Sequence, residues 1–377
     1  MTAHVFIVSE DTFPVHLQYQ FAGTGAMEDK IDFNDSPTTE HNHNKEFMLV
    51  KLMADIGRIR KNDRILFYVQ SKPRQEGKFF GIFRASENFA FLEKEGKYLY
   101  GELGKCLTCR TLFVPDEVYP QGVSEWNMLD EIKSIDKPHE MIWSLIYRKL
   151  RAHRGCTMIT HYEEKRICKL ISDGQTPINN FESLDFDINS GTIIANNKPP
   201  RHYQAEKTPL LLMPRMIARY NKQRQYEAFL QAEILYNIGR KNDKLSKILL
   251  NNNKIIWLGN EIGCGVGMQS IDIMLAYEDS SHHIMPIELK SVSADVIHIK
   301  QIKRYVDWIE QYYLPNQSAT IVPVLIARKL KTSLFPNDCF ISAAKDFNAT
   351  TNKTCQNLRL VEFEITSSGI EYSLANI

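Results

Sequence analysis

The chain has 377 residues, of which 43% are hydrophobic, 24% charged and 10% aromatic, a composition typical of a folded globular protein and not of a disordered one. Its 46 Lys and Arg residues nearly balance its 45 Asp and Glu residues, so affinity for nucleic acid must come from local basic patches and not from a global positive field. We find neither a signal peptide nor an apolar run of the roughly 18–20 residues that a membrane helix needs, so we expect a cytoplasmic protein with no membrane partner. From the length we expect two domains, and from the seven irregularly spaced cysteines we expect reduced thiols.

Residues 1–171 show the pattern of an antiparallel β unit that is followed by helices. The segments 4–9, 63–71 and 78–85 are rich in β-branched and aromatic residues, which predicts strands, and the break between the last two has hairpin chemistry. Residues 139–155 and 161–172 have the apolar spacing of amphipathic helices.

Between the two halves, residues 172–205 are dominated by Asn, Pro, Gly and Ser, which predicts a linker with a short hairpin near residues 183–195. The last part, 206–377, then predicts an α/β unit with a mixed sheet. Its elements in order are helices at 215–240 and 244–252, strands at 254–262, 270–278 and 283–291, a helix at 298–313 and a buried strand at 320–329.

Charged side chains interrupt two of these apolar strands. Glu288 and Lys290 point to one face of their strand, because strand side chains alternate, while Ile287 and Leu289 point to the other. Asp272 lies on the preceding strand, which can pair with this one through a turn. Two neighbouring carboxylates repel each other, and a divalent cation removes that cost, so oxygen ligation by Asp272 and Glu288 suits Mg²⁺.

The arrangement "IDIMLAY", turn, "IELKS" resembles the PD-(D/E)XK nuclease superfamily, although Ile271 stands where the family name has proline. The resemblance implies that Asp272 and Glu288 hold Mg²⁺, with Mn²⁺ able to substitute, and that Lys290 assists the attacking water. Residues 215–310 further resemble the mismatch-specific and branched-DNA endonucleases of archaea and actinobacteria.

Three more residues could belong to this centre. Gln301 and Tyr305, at i and i+4 on the following helix, match residues that some nucleases of this type use, and Glu227 on the upstream helix is a further acid. Glu233 competes with Glu227 for that role. Taken alone, Glu227 is also explained as a solvated helical residue, and Gln301 with Tyr305 as an exposed pair on an amphipathic helix. Asp272, Glu288 and Lys290, taken singly, are also explained as an edge-strand charge or a surface ion pair.

The N-terminal segments "HVFIVSEDTF", "KNDRILFYVQS", "GKFFGIFRASENF" and "WSLIYRKLRAHRGCTMI" resemble EVE domains, relatives of the PUA-like fold. Domains of that group bind nucleic acid, and some hold a flipped, modified base in an aromatic pocket. The candidate pocket residues here are Phe21, Tyr68, Phe80 and Trp143. Core packing is the alternative for each of them, because large apolar side chains are usually buried.

Basic residues supply candidates for contact with the DNA backbone. They are Arg148 and Arg154 in the first part and Arg219, Lys222 and Arg224 between the two. A solvated helix face explains each of them as well.

The sequence therefore predicts an N-terminal PUA-like β-barrel (EVE) domain at 1–171, a linker at 172–205 and a C-terminal mixed-sheet PD-(D/E)XK domain at 206–377, an α/β and α+β chain. The expected activity is a Mg²⁺-dependent DNA endonuclease that reads a modified base and acts on double-stranded DNA as a homodimer, since a double-strand break needs two active sites. Two alternatives stay open: a repair endonuclease that acts on mismatched, branched or single-stranded DNA, and a nucleic-acid-binding protein without catalysis.

Overall fold

The computed structural model describes residues 1–25, 36–39, 43–70, 76–93, 97–137, 140, 155–264, 269–314, 319–329 and 338–377. The chain divides into two units, each of which takes part of the N-terminal region. The first unit comprises Met1–Asp32 and Asn42–Leu210, and the second comprises Phe33–His41 and Leu211–Ile377.

The first unit is a mixed α/β structure. Its strands are β1 (Ala3–Val8), β2 (Phe21–Thr24), β3 (Arg64–Val69), β4 (Lys78–Ala85), β5 (Phe91–Glu93), β6 (Cys109–Pro115), β7 (Val123–Ser124), β8 (Cys156–Ile159), β9 (Ser183–Asp187), β10 (Thr192–Asn196) and β11 (Lys207–Thr208). Its helices are α1 (Phe13–Tyr19), α2 (His43–Gly57), α3 (Tyr100–Leu103), α4 (Glu125–Asp130) and α5 (His161–Ser172), with a 3₁₀ turn at Glu131–Ser134.

Within the described residues, the main sheet of this unit has the strand order β11-β5-β6-β4-β3-β1-β8, with β2 on β6 and β7 on β4. Strands β3 and β4 pair antiparallel, as predicted, whereas β1 and β3 run parallel. The ring of Phe67 has its centroid 5.2–6.2 Å from those of Phe6, Phe13, Phe83 and Phe113. The apolar faces of the strands and α1 thus form one aromatic core.

The predicted linker is part of the first unit. Residues 183–196 do form a hairpin, in which β9 and β10 pair antiparallel. Phe186 on β9 is buried and packs with ring centroids 5.1 Å from Phe13 and 5.4 Å from Phe80. The prediction of a linker was wrong because a few alternating apolar side chains, hidden among turn-forming residues, are enough to fix this hairpin on the core.

The second unit contains one large sheet and its helices. The strands are β12 (Ile255–Gly263), β13 (Ser270–Glu278), β14 (His282–Lys290), β15 (Ala319–Ile321), β16 (Val324–Arg328), β17 (Arg359–Thr366) and β18 (Gly369–Ala375). The helices are α6 (Met213–Asn221), α7 (Glu227–Asn237), α8 (Lys244–Leu250), α9 (Val296–Trp308) and α10 (Asp338–Thr350), and a π-helical turn at Ile309–Tyr313 follows α9.

The strand order is β12-β13-β14-β16-β17-β18, with β15 beside β14. Strands β12, β13 and β14 form an antiparallel meander, whereas β14, β16 and β17 run parallel, so the sheet is mixed as predicted. Helix α9 makes the crossover from β14 towards β16 and carries its apolar side chains Ile299, Ile302 and Val306 inward. This connection places one face of α9 over the end of β14.

Two predicted elements are divided. The helix predicted at 215–240 breaks into α6 and α7, because Gln223 adopts a positive φ of 53° that a helix cannot accommodate. The strand predicted at 320–329 is interrupted at Pro323, which has no N–H for a ladder hydrogen bond.

Some expectations fall on parts of the chain outside the described residues, among them the helix predicted at 139–155. None of the described helices has the length and apolar character needed to cross a membrane. The chain is a mixed α/β protein, and the assignments of a PUA-like barrel and of a PD-(D/E)XK domain stay predictions.

Candidate active site

The acidic residues meet where β13 and β14 part. Ile273 pairs with Ile287, so the next position along each strand brings Asp272 alongside Glu288. At this position side chains take the place of backbone hydrogen-bond partners. The Leu289 N–H donates to Asp272 Oδ2 at 2.8 Å, and Gln231 Nε2 donates to the Asp272 carbonyl at 2.8 Å. Asp272 is thus fixed at both its backbone and its carboxylate.

Helix α7 holds the end of β14 from the other side. The Ser291 N–H donates to Glu227 Oε2 at 3.0 Å, and the Tyr226 hydroxyl donates to the Ser291 carbonyl at 2.9 Å. Glu227 and Gln231 lie at i and i+4 on α7, so one helix face contacts both strands. The first turn of α7 is therefore fixed next to Asp272 and the end of β14, and it brings Glu227 close to the other two acids.

Glu288 lies at the centre of the group and is only 1% exposed. Lys290 Nζ lies 2.5 Å from Glu288 Oε1, and the Tyr305 hydroxyl donates to Glu288 Oε2 at 2.8 Å. The same hydroxyl lies 3.0 Å from the Ser270 carbonyl. Both carboxylate oxygens of Glu288 are therefore held, one by a cation and one by a phenol.

The electrostatics of this group are those of closely spaced like charges. Burial, followed by the neighbouring Glu288, raises the pKa of Asp272 well above its usual value, and Glu227 adds to the rise. Burial works to lower the pKa of Lys290, but the adjacent Glu288, Asp272 and Glu227 outweigh burial and raise it. Lys290 is thus kept protonated among three acids.

The donor set fits a hard divalent cation. It consists of carboxylate oxygens, and no described residue hydrogen-bonds to Asp272 Oδ1. Over the described part of the chain, no three or more His, Cys, Asp and Glu side chains are grouped as ligands for a metal ion. Mg²⁺ is often bound by one or two carboxylates together with water and phosphate oxygens, so the pair Asp272 and Glu288 is sufficient for it.

Helix α9 presents one face to the acidic group. Tyr305 reaches Glu288 directly, and Gln301 lies one turn earlier on the same face. Gln301 is half-buried, and its side-chain amide makes no hydrogen bond to the residues that the structure describes. The predicted proximity of this helix holds, while a role for the Gln301 amide stays a prediction.

Three residues near the centre escaped the sequence interpretation. Gln231 lies at i+4 from Glu227 on α7, and that spacing was the signal that could have found it. Tyr226 is the N-cap residue just before Glu227, and no spacing along the helix indicated it. His298 is buried at the start of α9, where its Nδ1 accepts a hydrogen bond from the Asp295 N–H at 3.0 Å. Burial and the charge of Lys290 lower its pKa, so the ring is neutral with its proton on Nε2.

Glu233, the alternative to Glu227, lies elsewhere. Its Oε1 accepts a hydrogen bond from Asn237 Nδ2 at 2.6 Å, and burial raises its pKa to about 7. It lines a cleft of about 320 Å³ together with Arg240, Asp243 and Tyr372. The structure therefore groups Glu227, and not Glu233, with Asp272 and Glu288.

The basic candidates of the second unit lie around the turn before α7. Arg219 Nε donates to the Gln225 carbonyl at 2.7 Å, and its guanidinium lies 5.1 Å from the Phe229 ring centroid, so it stabilises the turn. Lys222 and Arg224 are exposed in this turn. Arg224 is thus an exposed cation three residues before Glu227.

The aromatic candidates of the first unit are mostly core residues. Phe21 is 0% exposed and Phe80 is 1% exposed, and both pack against other rings, so the prediction that they line a base pocket was wrong. Tyr68 is also largely buried, with its hydroxyl donating to Glu125 Oε2 at 2.8 Å. Trp143, Arg148 and Arg154 lie outside the described residues.

The comparisons with known proteins add little. No family model matches the chain, and no curated protein matches it. Among the solved structures that match is the crystal structure of human THYN1 protein in complex with 5-methylcytosine-containing DNA. That match has 8% sequence identity and a TM-score of 0.28, and it covers 46% of this chain and 99% of that one. We derive nothing about function from a likeness at this level.

Proposed function

We propose that this protein is a Mg²⁺-dependent DNA endonuclease whose reaction centre comprises Asp272, Glu288, Lys290 and Glu227. The observation that supports it is the cluster of three acids around one protonated lysine, held at the point where β13 and β14 part. A protein gains no stability from buried repulsion of this kind, so we attribute the cluster to function.

The roles of the residues follow from their contacts. Asp272 and Glu288 would hold the cation, with Mn²⁺ able to replace Mg²⁺. When bound, the ion would act as a Lewis acid that stabilises negative charge on a phosphate. Lys290, protonated and partly buried, orients the attacking water and stabilises the charge that develops as the P–O bond breaks. Tyr305 positions Glu288, and Gln301 on the same helix face is proposed to contact the substrate.

DNA is the proposed substrate because a polyanion matches the exposed cations beside the centre. Lys222 and Arg224 lie in the turn that leads directly into Glu227, and they would contact backbone phosphates without reading sequence. The resemblance of residues 1–170 to EVE domains motivates the further proposal that the first unit reads a modified base. We therefore propose a modification-dependent restriction enzyme, which cuts both strands as a homodimer.

Cleavage of matched duplexes tests this proposal. The full-length protein is incubated with Mg²⁺ and duplexes of one sequence that are unmodified, cytosine-modified or adenine-modified, with mismatched and flapped duplexes as controls. Cutting restricted to modified DNA supports the whole proposal. Cutting of mismatches or flaps moves the assignment to repair, and binding without cutting in any metal overturns the nuclease.

A further inference from the structure

Helix α9 carries a histidine on the side that reaches the acidic centre. His298, Ile302 and Tyr305 are spaced by four and three residues and are all buried, so they share one stripe of the helix. At one end of this stripe the Tyr305 hydroxyl donates to Glu288. His298 lies about two turns earlier, in the first turn of α9, and is 7% exposed. The buried stripe of α9 therefore runs from the acidic centre to the start of the helix.

The charged residues that act on His298 belong to the reaction centre and to the helix cap. Burial is the largest cause that lowers the pKa of His298, and the charge of Lys290 is the next. Asp295 and Glu227 act on this pKa in the opposite direction. Because the interaction between charges falls off with distance, the imidazole lies within electrostatic reach of the centre, on the side of Lys290 and Glu227.

One hydrogen bond fixes the tautomer of His298. The Asp295 N–H donates to His298 Nδ1 at 3.0 Å, and a backbone amide can only donate, so Nδ1 carries no proton. The neutral ring then has its proton on Nε2. Because Nε2 is protonated and the free electron pair of Nδ1 is already bound, the ring serves neither as a metal ligand nor as a general base.

The Nε2–H of His298 is a donor that no described residue accepts. The backbone amides of the first turn are already bound, since the Ile297 N–H donates to the Asp295 carboxylate at 3.1 Å and the His298 N–H to the Asp295 carbonyl at 3.0 Å. The imidazole, and not the end of the helix, is thus the group with a hydrogen bond left to give. A largely buried donor of this kind calls for an acceptor.

We propose that His298 Nε2–H donates a hydrogen bond to a non-bridging oxygen of the phosphodiester that is cut, beside Lys290. The proposal rests on the proposed function. A donor next to a protonated lysine favours an anionic acceptor, and the phosphate oxygens of DNA are such acceptors. A neutral imidazole also holds the phosphate without adding a charge that repels the cation at Asp272 and Glu288. His298 is therefore a substrate-binding residue that orients the phosphate for attack.

Two substitutions separate the donor from the helix cap. His298→Asn keeps an oxygen that accepts from the Asp295 N–H, but its amide ends short of the position of Nε2, so the donor is lost. His298→Gln reaches that position with its amide nitrogen and gives up the acceptor at Nδ1. We expect H298N to unfold at the temperature of wild type and H298Q about 2–4 °C lower, because H298Q loses one contact of the helix cap.

DNA binding in Ca²⁺ measures the proposed contact without cleavage. The probe is the duplex that the wild-type protein binds most tightly among those named above. H298N should bind it roughly tenfold more weakly, which is the usual effect of losing a hydrogen bond to a charged group, and H298Q should stay within about threefold of wild type.

A series of the same duplex, each member with one neutral methylphosphonate at a different position, locates the acceptor. At one position the methylphosphonate should cost the wild type roughly tenfold more affinity than it costs H298N, because the variant has no contact left to lose there. In Mg²⁺ this phosphate should be the one that the wild type cuts, and a responsive phosphate elsewhere contradicts the proposal.

Matched variants separate His298 from general effects. H282N changes the same residue type at the opposite end of β14 and should leave binding and the methylphosphonate series unchanged. H298N should still weaken binding about tenfold in an E227Q background. If its effect disappears there, His298 acts through Glu227 and the contact with phosphate is overturned.

The outcomes distinguish this proposal from the proposed nuclease. If binding depends on His298 as described but no strand is cut in Mg²⁺, the nuclease fails and the phosphate contact stands. If strands are cut but H298N binds like wild type, the contact is overturned and the nuclease stands. If binding weakens in both variants in step with their unfolding temperatures, His298 only caps the helix and the contact is overturned as well. Absence of DNA binding overturns both.

Discussion

The Leu289 N–H donates to the carboxylate of Asp272 at 2.8 Å, so a side chain and not a strand carbonyl accepts this backbone hydrogen bond. This contact fixes the acid at the place where the two strands part. The same acid lies beside Glu288 and has a pKa raised by burial and by that neighbour. Burial and a neighbouring carboxylate disfavour the ionised form of this rigidly held acid, and a bound divalent cation would remove that cost, as in the centre proposed above.

The substitution Asp272→Asn should separate stability from activity. Asn retains an oxygen that accepts from Leu289 while it removes the repulsion with Glu288. We therefore expect the free energy of unfolding without metal to rise by about 1 kcal/mol, and DNA cleavage to fall by roughly 10²-fold or more. Urea unfolding and a gel cleavage assay measure the two effects. A variant that cuts DNA at the wild-type rate would show that Asp272 is not part of the reaction centre.

The substitution Lys290→Met should be costly for both stability and activity. It leaves Glu288, which is 1% exposed, without the cation that lies 2.5 Å away, and breaking a buried pair costs about 3–5 kcal/mol. The double variant Lys290→Met with Glu288→Gln removes both charges and should recover most of the lost stability but none of the cleavage. Denaturant midpoints of wild type, the two single variants and the double variant provide the test. If the double variant loses as much stability as Lys290→Met alone, the ion pair between Lys290 and Glu288 is contradicted.

The acids on α7 offer a matched comparison. Glu227→Gln removes a charge beside Asp272 and should lower cleavage at least about tenfold, because the carboxylate is one of the group around Lys290. Glu233→Gln changes the same residue type on the same helix, away from the centre, and should leave cleavage within about twofold of wild type. Initial cleavage rates at saturating Mg²⁺ decide between them, and the opposite ranking would show that Glu233 is the functional acid.

Much of the second unit could be predicted from the sequence, because its strands are apolar and continuous. The three strands of the meander lie within one residue or so of their predicted ends, and Asp272, Glu288 and Lys290 come together as alternation requires. The division of the helix at Gln223 could not be predicted in this way, since the apolar spacing continues across the break. Contacts such as that from Tyr226 to Ser291 depend on how two elements pack, which spacing along one element does not report.

The first unit was predicted less well, for a physical reason. Aromatic residues on strands that are buried on both sides have no alternation to show which face meets a ligand. The sequence therefore does not distinguish Phe21 and Phe80 from residues that line a pocket, although both lie in the core. Composition likewise indicated a linker at 172–205, although Phe186 and Ile193 anchor that hairpin.

The core assignment of Phe80 predicts its mutational effect. Phe80→Ala leaves a cavity between Phe13 and Phe186 and should lower the free energy of unfolding by about 3–5 kcal/mol, with DNA binding lost only as the protein unfolds. Tyr68→Phe removes only the hydroxyl that donates to Glu125 and should cost about 1 kcal/mol. Thermal unfolding and DNA binding of each folded variant measure these effects. A stable Phe80→Ala protein that has lost discrimination between modified and unmodified DNA would restore the pocket assignment.

Glu233 makes the stability of the second unit depend on pH. Burial raises its pKa in the folded protein from 4.5 to about 7, so the folded state holds this proton more tightly than the unfolded state does. Its contribution is therefore fully present below pH 4.5 and is lost as the pH rises through about 7, by about 3 kcal/mol in all. Glu233→Gln imitates the protonated acid, keeps an acceptor for Asn237 and should remove this slope, so the variant should match wild type at acid pH and exceed its stability above pH 7.

Glu371→Gln, which alters an exposed acid paired with Lys244, is the control and should leave the slope unchanged. Urea midpoints from pH 4.5 to 8 for the three proteins make the comparison; parallel curves for wild type and Glu233→Gln would show that the buried carboxyl titrates as it does in the unfolded chain.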